Sequence, residues 1–131
     1  MARPKITEKK QLTETELQFM NILWGLTGAT VHEVQTGLKA KFQKDCAYTT
    51  VSTILRVLEK KAVVTSAKEG RGHRYFPAVA RETYQQEAVS QILEHVFLGE
   101  PLALVKSLLG NQKVSAQEML EIAAIIKRNR K

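Results

Sequence analysis

The chain has 131 residues, 44% hydrophobic and 25% charged, which suits one domain with a real core, or a small domain plus an oligomerisation segment, and argues against disorder. Its formal net charge of +7 points toward a polyanionic partner. A single cysteine, Cys46, allows no intrachain disulfide. No apolar run approaches the ~18 residues of a membrane span, and the opening MARPKITEKK has no apolar stretch behind its cations, so the expectation is a cytoplasmic protein without membrane insertion.

The charge is uneven. Residues 1–76 hold 13 Lys+Arg against 7 Asp+Glu, residues 77–126 hold 3 against 6, and the closing KRNRK adds four cations. A basic first part and a mildly acidic middle fit a nucleic-acid-binding head joined to a segment with another task.

Residues 1–11, with Pro4, several cations and little to bury, read as a flexible basic arm. Thr13-x-x-Glu16 is a capping box that opens a first helix, with Leu17, Met20, Ile22, Leu23 and Trp24 on its apolar side and Gly25 and Gly28 ending it. Thr30-x-x-Glu33 repeats the device, and Val31, Val34, Leu38 and Phe42 carry a second helix to about Phe42. The third, Ala47 to Lys61, has two faces. Val51, Ile54, Leu55 and Leu58 fall on one side, while Thr49, Ser52, Thr53, Arg56 and Lys60 fall on the other.

Beyond Lys61 the period changes. Val63, Val64 and Thr65 are followed by a Lys68-Glu69-Gly70-Arg71-Gly72 tip and a return strand His73-Arg74-Tyr75-Phe76 that Pro77 stops, which predicts a β-hairpin. Three helices and a basic hairpin make a winged helix-turn-helix domain over residues 12–78. The fold class expected is therefore mainly α with a small β-hairpin, the winged domain leading into a helical dimerisation region at 79–131.

In that region Tyr84, Ala88, Val89, Ile92, Leu93, Val96 and Phe97 form one apolar stripe, interrupted by Gly99 and Pro101. Leu102, Leu104, Val105, Leu108 and Leu109 make a second. Ser115-x-x-Glu118 caps a last helix carrying Met119, Leu120, Ile122, Ala123 and Ile126. These stripes need a cover, either the chain's own head or a second copy, and a symmetric homodimer is the commoner solution. The residues expected at the dimer contact are Tyr84, Val89, Ile92, Leu93, Val96, Phe97, Leu104, Leu108, Met119, Ile122 and Ile126.

As a DNA reader, the third helix would turn Thr49, Thr50, Ser52, Thr53 and Arg56 to the major groove. Arg56 is the candidate for base specificity, because a guanidinium can pair bidentately with guanine. Lys60 and Lys61 would hold phosphates, and Arg71 and Arg74 would grip flanking backbone with His73 and Tyr75 as helpers. Trp24 reads as core, and Cys46 is either inert or a redox switch. His32, His73 and His95 lie too far apart for a zinc site, no cofactor is called for, and no catalytic motif appears. The competing readings are a winged-helix protein-interaction module and an effector-binding regulator with only weak DNA contact.

Taken together, LTETELQFMNILW at Leu12 to Trp24, AYTTVSTILRVLEKKAVV at Ala47 to Val64 and GRGHRYFPAVARETY at Gly70 to Tyr84 give a chain that resembles the penicillinase repressor family, the BlaI/MecI-type regulators with their copper-responsive CopY relatives. The resemblance implies a homodimeric transcriptional repressor that binds a palindromic operator in double-stranded DNA. It also implies release by a sensor protease or another inducer. Penicillin-responsive members are cut at an Asn-Phe pair in the C-terminal part; the matching position here falls near Ser107-Leu108, and the sequence has no Asn-Phe. Nor does any cysteine follow Cys46 to form the CxC motif of the copper-responsive members.

Overall fold

The structure, a computed structural model, describes residues 12–110 and 114–129; the expected basic arm at 1–11 lies outside them. Helix α1, Glu14–Leu26, starts where the Thr13 hydroxyl accepts from the Glu16 N–H and the Glu16 carboxylate accepts from the Thr13 N–H, both boxed donors satisfied. It stops one residue after Gly25. Thr27 takes the left-handed conformation and caps the helix by donating its N–H to Leu23 O, so a threonine fills the terminal place expected of a glycine. Gly28 follows with φ 119, and a Cβ there would meet the Phe76 ring at 2.6 Å, so this glycine is required for conformation and for close approach alike.

A two-residue strand, β1 at Ala29–Thr30, precedes α2, Val31–Phe42. The hairpin expected from the sequence has this third member. Strands β2, Val64–Glu69, and β3, Gly72–Pro77, pair antiparallel, and β1 adds to the other edge of β3 with Thr30 opposite Arg74. So short a strand leaves no alternation to read. Helix α3, Tyr48–Lys60, lies between α2 and the sheet in sequence and packs on both.

The core of this head is Phe19, Met20 and Leu23 of α1, Val34 and Leu38 of α2, Val51, Leu55 and Leu58 of α3, and Val63, Val64 and Tyr75 of the sheet region. Phe19 is fully buried although the predicted apolar side of α1 omitted it. Burial of such side chains, at ~1.5–3 kcal/mol each, is what holds three short helices together. Helix α4, Arg81–His95, begins inside the same unit, which extends to Ala88. Trp24 donates its indole N–H to Val79 O at 2.8 Å, stacks at a tilt on Tyr84 with centroids 5.9 Å apart, and carries the Arg81 guanidinium over its ring. Tyr84 is thus buried with the core of the head.

The second unit, from Val89, contains the rest of α4, then α5, Pro101–Gly110, and α6, Ala116–Asn129. The Ser115–Glu118 capping box is present in both directions. None of the described residues of α5 or α6 is buried, and Leu102, Val105, Leu108, Leu109, Met119, Leu120, Ile122, Ile125 and Ile126 are exposed.

Candidate nucleic-acid interface

Helix α3 has a buried and an exposed side, with Ile54 partly buried between them and Val57 exposed. Val51, Leu55 and Leu58 have no exposure, while Thr49, Thr50, Thr53, Arg56 and Lys60 are exposed and Ser52 is half-buried. Its N-cap, Ala47, has no side chain able to cap the first turn. Tyr48, 45% exposed, leads that turn and rests on the His32 ring of α2 at 4.8 Å between centroids. Sequence reading passed over this pair; an exposed aromatic beside two hydroxyls at a helix start is the signal it carried.

The hairpin register sorts its side chains onto two faces. Lys68 lies opposite His73 and Ser66 opposite Tyr75, so these four share the face toward α3, where Ser66 Oγ donates to Glu59 at 2.8 Å. Ala67 and Arg74 are paired on the reverse face. Gly70, at φ 61, makes the tight turn and leaves Arg71 exposed at the tip. Lys68, exposed and level with His73, joins the candidates.

Three of the expected DNA contacts have other engagements. Tyr75 is 5% exposed and belongs to the core; burial pushes its hydroxyl above the usual phenol range, with Glu59 adding to the shift and Arg56 opposing it. Lys61 donates its ammonium to both oxygens of Glu16, at 2.8 and 3.0 Å, which joins the end of α3 to the start of α1. Arg74 is forked onto Glu69 and reaches Glu33 as well. Lys61 is held by a carboxylate far away in the chain, Arg74 by one across the hairpin and one on α2. The remaining candidates, Thr49, Thr50, Ser52, Thr53, Arg56, Lys60, Arg71 and His73, lie on α3 or the wing, with the His73 ring 6.3 Å from that of Tyr75.

The described residues contain no His/Cys/Asp/Glu group able to hold a metal ion, and none of their helices is long and apolar enough to cross a membrane. Cys46 is half-buried, its carbonyl accepting from the Gln35 side chain at 2.8 Å.

A third helix seated on two others with its polar side outward, flanked by a hairpin, defines a winged helix-turn-helix protein. A further helical unit follows the head. The chain belongs to the penicillinase repressor family, whose model matches residues 12–128; this is a family of transcriptional repressors and not of enzymes. Over 73 residues it is 40% identical to the transcriptional regulator BlaI of Mycobacterium tuberculosis, covering 55% of this chain and 51% of that protein, so the match spans about half of that relative's length. It is 27% identical to the penicillinase repressor of Bacillus licheniformis over 123 residues, 92% of this chain and 94% of that one. The solution structure of the DNA binding domain of the repressor BlaI matches at 27% identity and a TM-score of 0.50, over 59% of this chain and 92% of that chain. A complex structure of hsRosR-S4 shares the fold at 12% identity and a TM-score of 0.56, covering 96% of each.

Proposed function

We propose that this chain is a sequence-specific DNA-binding repressor that acts as a homodimer on a palindromic operator. The observation that carries the proposal is the division of α3 into a side anchored in the core by Val51, Leu55 and Leu58 and an outer side of hydroxyls and Arg56 beside the wing. A groove-reading helix needs that division, since the core must fix its orientation while base edges take its other side. Arg56 reads guanine, the threonines and Ser52 contact bases and nearby phosphates, and Lys60, Lys68, Arg71 and His73 hold backbone. The likeness to a BlaI DNA binding domain supports the same reading.

The exposed apolar residues of α5 and α6, with Val89, Ile92 and Val96, support pairing with a second copy. Two heads then meet two half-sites. A sensor protease or an inducer would end repression by separating the copies, in the cytoplasm where the operator lies.

The test is selection of duplexes from a random library by the full chain, followed by gel shift. A palindromic consensus bound far more tightly than random DNA is expected. Enrichment of no sequence would defeat the proposal.

A further inference from the structure

The wing carries a cation that its own surroundings have already spent. Arg74 Nε and Nη2 donate to the two oxygens of Glu69 at 2.9 and 3.1 Å, a two-pronged contact across the hairpin. Its Nη1 donates to Glu33 Oε1 at 3.0 Å, and that same oxygen accepts the Thr30 N–H in the capping box of α2. One guanidinium therefore joins β2, β3 and the first turn of α2. The backbone repeats the connection, because Thr30 is both the strand partner of Arg74 and the N-cap of α2. Arg74 lies on the sheet face opposite His73 and Tyr75, turned away from the side that packs toward α3.

We propose that Arg74 is a positioning residue, a latch that sets the wing against the helix-turn-helix, and that it is not a phosphate ligand. This rests on the DNA-binding reading for its consequence, though not for its geometry. With two carboxylates on one guanidinium, the group as a whole bears a single negative charge, which suits a brace and not a grip on a polyanion.

The two roles give opposite signs when a carboxylate is neutralised. Glu33→Gln keeps the capping box, which glutamine also forms, and removes only charge. Were Arg74 a phosphate ligand held back by its neighbours, Glu33→Gln or Glu69→Gln would free it and tighten binding. As a latch, Arg74→Gln, Glu33→Gln and Glu69→Gln should all weaken binding of the duplex selected by the wild-type chain, by about two- to fivefold, the range a half-exposed ion-pair network gives. Arg74→Lys keeps the charge without the fork and should fall between Arg74→Gln and wild type. Amide exchange of the DNA-free chain supplies the second readout. Faster exchange in the Lys68 to Gly72 tip, with α3 unchanged, is expected in all three neutral variants. Tighter binding by Glu69→Gln, or unchanged tip exchange in Arg74→Gln, overturns the proposal. If the wild-type chain binds no duplex, the DNA reading fails while the exchange result still decides the latch.

Discussion

The carboxylate of Glu16 serves two helices at once: it accepts the Thr13 N–H at 2.9 Å to start α1 and takes the Lys61 ammonium at 2.8 Å from the end of α3. Glu16 is 8% exposed, and burial by itself would raise its pKa. The Lys61 hydrogen bond and charge, with the hydrogen bonds from Thr13, outweigh burial and hold the carboxyl below its ordinary 4.5. A depressed folded pKa stabilises the head above the unfolded value, and the contribution is lost as pH falls through the folded one. Glu16→Gln should therefore cost about 1–3 kcal/mol at neutral pH, as expected for hydrogen bonds to a charged group, and progressively less as pH falls through the lowered carboxylate range. Urea unfolding across pH checks this; a cost independent of pH would remove the ionic role.

Trp24 ties α1 to the start of α4 through Val79 O. Trp24→Phe keeps much of the ring and loses the donor, so the head should lose about 1 kcal/mol. The denaturation midpoint should fall with no change in slope.

Arg56→Ala should cost about 1–3 kcal/mol on the selected duplex and relax one base position. Competition against single-base variants reads that out. Equal loss on selected and random DNA would make Arg56 a backbone contact.

Arg71→Ala, at the wing tip, should weaken all duplexes alike and flatten the salt dependence by about one contact. Affinity measured across a salt series is the check, and an unchanged slope would take Arg71 off the DNA.

Ile122→Glu places a carboxylate in the exposed apolar face of α6, where Ile122 is 40% exposed. Sedimentation should show a dimer for wild type and a monomer for the variant, because an unpaired charge cannot be buried cheaply between two apolar faces. A wild-type monomer at micromolar concentration would refute the pairing.

What the sequence disclosed follows the range of the forces involved. The capping boxes at Thr13, Thr30 and Ser115 are i to i+3 devices, and all three are present where local spacing put them. The two faces of α3 are a periodicity, equally local. Lys61 and Tyr84 took roles from partners far off in the chain, Glu16 on α1 and Trp24, and no window of sequence contains such a pair. Strand β1 escaped for the same reason, since two residues become a strand only by meeting β3.

That short strand also joins two distant parts of the chain. Ala29 and Thr30 leave the ribosome early, yet their pairing waits for Tyr75 and Arg74 at the far end of the head. The β2–β3 hairpin can pair locally, whereas adding β1 to it needs the whole chain from Thr30 to Arg74 to be brought together. A wing exchanged between relatives would accordingly have to bring its own Ala29–Thr30 segment, or the transplanted hairpin would arrive at an edge shaped for another strand.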